Sequence, residues 1–565
     1  MASEKAAEQP PPSGVGQKWL TCNGRQLRNM VRAGLASLEQ NHQKVNELNV
    51  FPVPDGDTGT NMLLTMRAAY QRIQDREESH VGKVARELSQ GALMGARGNS
   101  GVILSQIWRG LARGLESHAE FDAQILAEAL EESASTAYKG VMRPVEGTIL
   151  TVVREGAEEA ADAVGKSRDL RFLLERVLER CQQALARTPE QLPVLKQAGV
   201  VDAGGQGLVY ILAGMLRHVH GELEVAADQP AVKPVPAQAK AAPAEGLEYP
   251  YDVQFILMGQ NLDVEDVRAD IDAMGDSTVV VGDADAIKVH VHVKDPGVPI
   301  SYGISLGNIT DVVVENMQMQ MEAIIGPGQG PAPEAQPIGA VEPQIEEGQI
   351  GVVAVAAGRG LADIFRSLGA AGIVNGGQSN NPSTEEIFEV VSRLPTERVV
   401  ILPNNKNIIM AAEAAGELSN KEVAVVPTRT APQGISAMLA LDHNNELEAA
   451  REAMTEASRQ VASGEIATAT RTVVLDDVAV AEGQIIGVVE GRLCVASSDL
   501  DQVVGQVLEE MNVAERELLS IYYGAEVNES EANELADKIT TSYPDLEIEV
   551  LPGGQSIYHY ILGAE

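Results

Sequence analysis

The sequence predicts a multidomain protein with an N-terminal all-α antiparallel helical barrel, a small α+β middle domain and a C-terminal α/β domain. Three observations support this fold class. Helical periodicity dominates the first part of the chain, runs of strand-forming residues begin after residue 250, and two proline-rich stretches divide the sequence. A length of 565 residues also suits two to four domains.

The proline-rich stretches mix proline with Ala, Gly and Glu, a composition typical of extended, semi-rigid linkers. The polar, proline-rich start of the chain predicts a disordered tail. The predicted organisation is a tail at 1–18, a helical segment at 19–222, a linker at 223–247, a middle segment at 248–325, a linker at 326–348 and a C-terminal segment at 349–565.

The helical segment carries apolar residues at three- and four-residue spacing, divided by glycine-rich turns. This pattern predicts several antiparallel helices with the glycine loops gathered at one end. The predicted helices are Leu27–Leu48, Val84–Met94, Val102–Leu115, Phe121–Ala137, Leu170–Arg187 and Gly205–His218.

The remaining two segments are rich in strand-forming residues. The middle segment predicts strands at Val253–Met258, Ser277–Val281 and Ile287–Val293, with a helix at Val264–Met274. The C-terminal segment predicts strands at Ile350–Ala357, Val399–Leu402 and Val423–Val426. Helical patterns between these last strands indicate a parallel sheet, and closer spacing beyond residue 470 indicates partly antiparallel strands.

The composition excludes some classes of partner. The chain has 81 acidic against 43 basic residues, a net charge of −38, which argues against nucleic acid and disfavours an anionic membrane surface. Three cysteines in so long a chain argue against a disulfide framework. We find no signal peptide and no run of ~18 apolar residues, so we expect a cytoplasmic protein without stable membrane insertion.

Residues 49–62 form the most informative motif of the chain, Asn-Val-Phe-Pro-Val-Pro-Asp-Gly-Asp-Thr-Gly-Thr-Asn-Met. It places two carboxylates, Asp55 and Asp57, on a tight turn that the hydroxyl of Thr58 and the amide of Asn61 follow directly. Paired carboxylates suit hard cations such as Mg²⁺, and the neighbouring donors suit phosphate oxygens. The motif therefore predicts joined metal and phosphate chemistry.

Two other interpretations apply to this motif. An acidic turn that caps a helix is the ordinary role of Asp-Gly-Asp. A calcium loop is the second, but its sixth and twelfth positions are Thr60 and Met66, where a glycine and a bidentate glutamate belong.

Three further glycine-rich turns precede helical runs in this segment, at 95–101, 143–148 and 201–207. Singly, each is compatible with an ordinary turn and a capping residue. Together with the aspartate turn they predict a nucleotide-sized rim of helix N-termini, where backbone N–H groups bind anions. The residues of interest in these turns are Asn99, Ser100, Thr148, Asp202 and Gly204.

His290 and His292 alternate on a predicted strand of the middle segment. Alternate residues of a strand face the same side, so both imidazoles could bind one metal ion. A polar strand face with two structural histidines explains the pattern equally well.

On these motifs the chain resembles the fatty acid kinase branch of the family of the nucleotide-binding L subunit of dihydroxyacetone kinases. The resemblance implies that Asp55 and Asp57 bind two Mg²⁺ ions that bridge the phosphates of ATP. The family's third metal aspartate falls at Val50, so Asn49 is the nearest substitute ligand. The nucleotide contacts implied are Thr58, Asn61, Asn99, Ser100, Thr148, Asp202 and Gly204, and Arg97 or Arg143 would stabilise the transferring charge.

The resemblance also bears on the middle segment. Fatty acid kinases have a cysteine in a Tyr-Gly-Tyr-Cys stretch, which completes a zinc site with two histidines. Here that stretch ends in Asp252, so the resemblance implies a Zn²⁺ site formed by His290, His292 and Asp252. An aspartate in place of the thiolate would bind Zn²⁺ more weakly.

Two polar loops of the C-terminal segment, 376–383 and 403–407, follow predicted strands. Such loops bind ligands or partners in α/β sheets, although both are also rich in ordinary turn formers. They resemble the C-terminal domain of fatty acid kinases, which is distantly related to the substrate-binding K subunit. That K subunit holds its substrate on a histidine, and neither His443 nor His559 lies in a comparable motif, so a docking role for an acyl-carrying protein is implied.

The function implied is ATP-dependent phosphoryl transfer to the carboxylate of a fatty acid that a separate lipid-binding protein presents, giving an acyl phosphate. One alternative is a kinase for dihydroxyacetone or another small polyol. Another is a nucleotide-binding regulatory protein without turnover. A homodimer through the helical or middle segment is compatible with the sequence.

Overall fold

The computed structural model describes residues 18–49, 57–141, 143–221, 251–316, 345 and 348–565, apart from 260, 261, 263–266, 268, 269, 272, 273, 283–285, 295 and 379. Almost all of the predicted tail and most of both predicted linkers lie outside the described residues. So does most of the predicted helix Val264–Met274.

The first segment is helical, as predicted. Its described helices are α1 (Gly24–Asn46), α2 (Thr58–Gln71), α3 (Val81–Met94), α4 (Gly98–Leu115), α5 (Ala123–Lys139), α6 (Ile149–Val164), α7 (Leu170–Ala186), α8 (Thr188–Gln191), α9 (Pro193–Ala198) and α10 (Ala203–Val219). The short strands β1 (Cys22–Asn23) and β2 (Glu120–Phe121) pair antiparallel beside them. Buried side chains of these helices form one continuous hydrophobic core.

Several helices start earlier than the periodicity predicted. Helix α4 starts at Gly98, not Val102, and α10 starts at Ala203, not Gly205. The helical run that follows the aspartate motif in the sequence predicted a start of α2 at Met62, and the structure has it at Thr58. Glycines lie in these first turns and have low helix propensity, so the periodicity of the sequence does not reveal the helix starts. Contacts with neighbouring elements hold these turns in the helical conformation.

The middle segment is an α+β unit, as predicted. Its strands are β3 (Tyr251–Met258), β4 (Gly275–Gly282), β5 (Ala286–Val293) and β6 (Asn308–Asn316), in the order β4-β5-β3-β6 with antiparallel pairing. Helix α11 (Gly297–Leu306) and strand β6 were not predicted. Alternate residues of β3 and β5 are buried in a core of their own.

The C-terminal segment begins with the predicted parallel sheet. Its strands are β7 (Ile350–Ala356), β8 (Gly372–Asn375), β9 (Arg398–Leu402) and β10 (Glu422–Val425), in the order β10-β9-β7-β8. The helices of this region are α12 (Arg359–Ser367), α13 (Thr384–Arg393), α14 (Ile409–Leu418), α15 (Ala431–Leu439) and α16 (Leu447–Gln460).

A six-stranded, mainly antiparallel sheet follows, which confirms the mixed pattern predicted beyond residue 470. It contains β11 (Ala462–Thr468), β14 (Ile485–Val489), β15 (Arg492–Ser497), β16 (Leu518–Tyr523), β17 (Glu547–Pro552) and β18 (Tyr558–Ala564). A hairpin of β12 (Val473–Leu475) and β13 (Val478–Val480) and helices α17 (Leu500–Glu510) and α18 (Glu529–Ser542) complete the segment.

The helical and C-terminal segments pack into one compact unit, and the middle segment forms a second. Ala96 and Val102, at the start of α4, share a buried apolar cluster with Val353 and Val374 of the parallel sheet. The start of α4 is therefore a junction between segments that are far apart in the sequence. Among the described residues, no helix is both long and apolar enough to cross a membrane.

Candidate active site

Asp57 directly precedes the first turn of α2. Asn46, the last residue of α1, caps that turn: its Oδ1 accepts hydrogen bonds from the backbone N–H groups of Gly59 at 2.7 Å and Thr60 at 3.2 Å. Its Nδ2 donates to the hydroxyl of Thr60 at 3.0 Å. The side chain of Asp57 forms no capping bond to α2, so the interpretation of this aspartate as a helix cap is wrong.

The other predicted groups of the aspartate turn lie close by, except for Asp55, which is outside the described residues. The hydroxyl of Thr58 donates to Oδ1 of Asn49 at 3.3 Å. Asn61 is buried, and its backbone N–H donates to the carbonyl of Asp57 at 2.7 Å. The structure therefore brings the amide of Asn49 next to the start of α2.

The start of α4 lies against the start of α2. Gly98 has a φ of +56°, and a Cβ atom at this position would lie only 2.6 Å from Nδ2 of Asn61. A side chain cannot fit here without displacing Asn61. Asn99 and Ser100 follow within the first turn of α4, not in a loop before it as predicted.

The start of α10 lies against α2 and against the start of α6. A Cβ atom at Gly207, in the second turn of α10, would lie 2.5 Å from Sδ of Met62 in α2. A Cβ atom at Gly204 would lie 3.4 Å from Cβ of Ile149, the first residue of α6. The starts of α4, α2, α10 and α6 are thus successive neighbours, and together they form a rim of helix N-termini.

Thr148 and Asp202 are the N-caps of α6 and α10. Thr148 Oγ1 accepts a hydrogen bond from the N–H of Leu150 at 3.3 Å, and Asp202 Oδ2 accepts one from the N–H of Gly205 at 2.7 Å. Burial raises the pKa of Asp202 to about 6, and the N–H groups of Gly205 and Ile149 oppose that shift only in part. Direct contact of Thr148 and Asp202 with a nucleotide stays a prediction.

Two loops of the C-terminal segment also make contacts at the starts of α2 and α4. Nδ2 of Asn381, in the predicted loop 376–383, donates a hydrogen bond to Oδ2 of Asp57. Nδ2 of Asn99 donates to Oδ1 of Asn407 at 3.4 Å. The sequence indicated these C-terminal loops as sites for a ligand or a partner, so the contacts of Asn381 with Asp57 and of Asn407 with Asn99 are a new finding.

Arg97 connects α4 to the same C-terminal loop. Its guanidinium donates to the carbonyl of Asn381 at 2.9 Å and lies 3.0 Å from the carboxylate of Glu386. Burial would raise the pKa of Glu386, but hydrogen bonds from Ser383 and the charge of Arg97 lower it below its ordinary value. Arg143, the alternative to Arg97 for stabilising the transferring charge, is exposed.

A cavity of about 330 Å³ opens at the carboxyl ends of β7, β8 and β9. Its polar lining consists largely of neutral amides and hydroxyls, including those of Gln378, Asn380, Asn405 and Thr430. The two polar loops indicated by the sequence therefore do lie at the edge where α/β sheets bind ligands. The loop that lines this cavity continues directly to Asn381.

The two histidines of the C-terminal segment have structural partners. A ring nitrogen of His443 lies 2.8 Å from the carbonyl of Ile350, and one of His559 lies 2.8 Å from the hydroxyl of Thr468. Neither residue lines the cavity at the sheet edge.

The zinc site predicted for the middle segment stays a prediction. The backbones of Asp252 and His292 are paired across β3 and β5, and that of His290 pairs with Gln254. The side chains of Asp252, His290 and His292 lie outside the described part of the structure. Within the described part, no three His, Cys, Asp or Glu side chains are grouped so that they could hold a metal ion.

The described residues near Asp57 fit Mg²⁺ and a polyphosphate. Oδ1 of Asn99 and Oδ1 of Asn381 are buried and have no hydrogen-bond partner among the described residues. Mg²⁺ prefers such hard oxygen ligands beside carboxylates, and a rim of helix N-termini suits phosphate oxygens.

Sequence profiles of known families match three parts of the chain. The DAK2 domain matches residues 52–217, the FakA-like middle domain of fatty acid kinases matches 248–324, and the FakA-like C-terminal domain matches 351–565. The chain belongs to the FakA-like family of fatty acid kinase proteins, which confirms the resemblance inferred from the motifs.

Individual relatives extend this assignment over nearly the full length. Protein YloV of Bacillus subtilis (strain 168) is 38% identical over 556 residues, which covers 96% of this chain and 99% of the relative. A protein of Staphylococcus aureus (strain USA300) is 36% identical over 565 residues, with 96% and 99% covered. Among solved structures, a DegV family protein from Thermus thermophilus, described as fatty acid binding, is similar with 15% identity and a TM-score of 0.30, covering 38% of this chain and 100% of its own.

Proposed function

We propose that this chain catalyses phosphoryl transfer from ATP to the carboxylate of a fatty acid, giving an acyl phosphate. The observation that supports the proposal best is the rim of four helix N-termini beside Asp57, in a member of the FakA-like family. At such a rim, the positive ends of the helix dipoles and the direction of the backbone N–H groups favour the phosphates of ATP. Residues 19–222 would form the kinase domain.

Charge is the main obstacle to this reaction, because ATP and a fatty acid carboxylate are both anions. Asp55, Asp57 and Asn49 would hold Mg²⁺, which supplies charge neutralisation at the β- and γ-phosphates when bound. The helix N-termini would hold the same phosphates in line with the acceptor. Asn61, Asn99 and Ser100 would assist them, and Thr148, Asp202 and Gly204 would contact the nucleotide on the far side of the rim.

A fatty acid carboxylate needs no general base, since it is already ionised at neutral pH. A polyol hydroxyl would need a base or covalent capture on a histidine. The ring contacts of His443 with Ile350 and of His559 with Thr468 argue against such a role for either residue. These contacts favour a carboxylate acceptor over a small polyol.

The proposal includes a separate lipid-binding protein that presents the fatty acid. The cavity at the sheet edge has a volume of about 330 Å³ and is rich in amide and hydroxyl groups. The lining also includes apolar side chains such as Leu361, Ile557 and Ile561, and its polar groups suit the head group of a fatty acid. Residues 349–565 would therefore dock the carrier, while residues 248–325 form a middle domain with a proposed Zn²⁺ site.

The test is ATP consumption by the purified full-length protein with Mg²⁺ and oleate, in the presence and absence of a candidate lipid-binding protein. Hydroxylamine would trap acyl phosphate as a hydroxamate, and dihydroxyacetone in place of oleate is the matched substrate control. We expect turnover and hydroxamate only with oleate and the carrier. Turnover with dihydroxyacetone alone, or nucleotide binding without turnover on either substrate, would contradict the proposal.

A further inference from the structure

We infer that Asn381, a residue of the C-terminal segment, is a positioning residue for Asp57, so that the C-terminal segment completes the active site. The inference rests on the proposed function, which places Asp57 at the Mg²⁺–ATP site. It adds a residue that lies 324 positions away in the sequence and belongs to a different segment.

The contact itself is specific. Nδ2 of Asn381 donates to Oδ2 of Asp57, and Asn381 is 2% exposed. A carboxylate only accepts hydrogen bonds, so the amide must present its NH₂ group to Asp57. Oδ1 of Asn381 is then a buried acceptor with no partner among the described residues. An unsatisfied buried acceptor is unfavourable, which favours a ligand that supplies a donor or a cation here.

The backbone around Asn381 is fixed on the start of α4. Arg97 donates to the carbonyl of Asn381 at 2.9 Å, and its own backbone is bridged to Ser383. The N–H of Thr384 donates to the carbonyl of Ala96 at 3.0 Å. These contacts fix the backbone at Asn381 and directly after it against the start of α4.

A second C-terminal residue contacts the backbone at the start of the aspartate motif. The guanidinium of Arg471 donates to the carbonyl of Glu47 at 3.0 Å and to the carbonyl of Asn49. The C-terminal segment therefore contacts the chain on both sides of the stretch that contains Asp55. The described residues on each side of that stretch, Asn49 and Asp57, are thus both bonded to the C-terminal segment.

A neutral amide suits this role chemically. A donor bonded to one carboxylate oxygen fixes the orientation of the group while leaving its negative charge intact. A lysine or arginine at the same position would compete with the cation for that charge. Removal of a hydrogen-bond partner of a metal-binding side chain typically lowers metal affinity by about 10–100-fold, and we expect an effect of this size.

Asn381→Ala tests the inference in the full-length protein. The substitution removes the amide but keeps the carbonyl that Arg97 binds. Asn420→Ala, at an exposed asparagine of the same segment, is the matched control. Calorimetric titration of ADP at graded Mg²⁺ concentrations measures the Mg²⁺ requirement of nucleotide binding, independently of turnover, and thermal unfolding verifies the fold.

We expect Asn381→Ala to raise the Mg²⁺ concentration for half-maximal ADP binding by about 10–100-fold, with turnover recovering at saturating Mg²⁺. Asn420→Ala should match the wild type. If Asn381→Ala does not fold, Arg97→Gln, which loosens the loop while Asn381 remains, should shift the requirement in the same direction.

The outcomes separate this inference from the proposed function. An unchanged Mg²⁺ requirement in a folded Asn381→Ala protein overturns the inference, whether or not acyl phosphate forms. A raised requirement in a protein that phosphorylates no fatty acid supports the inference and contradicts the proposed function. ADP binding by the wild type that does not depend on Mg²⁺ overturns both.

Discussion

The helical and C-terminal segments contribute to the candidate active site in different ways. The helical segment supplies a charged carboxylate and helix N-termini, each next to a glycine-rich turn of the sequence. The C-terminal segment supplies neutral amides, such as those of Asn381 and Asn407, that contact Asp57 and Asn99. Charged groups on tight turns reveal their chemistry locally, whereas neutral positioning groups are recognised only after the fold brings them to their partners.

The largest expected effect concerns the carboxylate that the helical segment supplies. Asp57→Ala should lower turnover by about 1000-fold, because it removes a carboxylate that would hold Mg²⁺ at the phosphates. Asp57 does not cap α2, but the buried amide of Asn381 would lose its acceptor, so the free energy of unfolding should fall by about 1–3 kcal/mol. Steady-state ATP turnover and urea unfolding measure the two quantities. Turnover within tenfold of the wild type would place the chemistry elsewhere.

The contact between α2 and α4 can be tested with two glycines of positive φ. Gly98→Ala meets Nδ2 of Asn61, whereas a Cβ at Gly199, with a φ of +68°, meets no atom within 4 Å among the described residues. Backbone strain should cost each variant about 1–2 kcal/mol. Crowding should cost Gly98→Ala about 1–3 kcal/mol more. Urea unfolding measures the difference, and equal losses would show that the two helix starts are not in tight contact.

Asp202 should make stability depend on pH. Its pKa in the folded protein is about 6, above the unfolded value of 3.8, so folding favours the protonated form. The stability contributed by this group is fully present below pH ~4 and is lost as the pH rises through ~6, by up to about 3 kcal/mol.

Asp202→Asn should therefore be more stable than the wild type at pH 7 but not at pH 4, because asparagine is an equally good N-cap. Denaturant unfolding at both pH values tests this expectation. A difference that is the same at both values would mean that the carboxyl group is not desolvated.

The smallest expected effect concerns the ion pair between segments. The carboxylate of Glu386 is about half exposed, so solvent screening should limit the effect of Glu386→Gln to less than about 1 kcal/mol. The pKa of Glu386 is lowered, so its contribution is present above the unfolded pKa near 4.5 and is lost as the pH falls. Unfolding at pH 7 and pH 3 measures the change. A larger loss would mean that charge, not neutral contacts, holds the segments together.

Periodicity predicted much of the fold. Six helices of the first segment, three strands of the middle segment and the parallel sheet were identified because their cores are patterned along the sequence. Helix α11 was not, because its sequence contains proline and glycine, which have low helix propensity. The start of α2 was misplaced because Asn46, a residue of the preceding helix, supplies its cap.

The candidate site was predictable only in part. Asp57, Asn61 and the turn at 95–101 were identified because carboxylates and glycines cluster on local turns. Asn381 was included in a loop of interest, but no spacing rule pairs it with Asp57. The predicted role of Arg97 in stabilising transferring charge stays a prediction, and the structure adds its contacts with Glu386 and with the carbonyl of Asn381.

The central claim is that two segments far apart in the sequence build one nucleotide site. Hydrogen–deuterium exchange of the full-length protein, with and without Mg²⁺ and ADP, tests it most directly. We predict slower exchange on binding both at the start of α4 and at residues 380–384, where the N–H of Thr384 donates to Ala96. Asn381→Ala should weaken the response at both places. Slower exchange confined to the helical segment would contradict the claim.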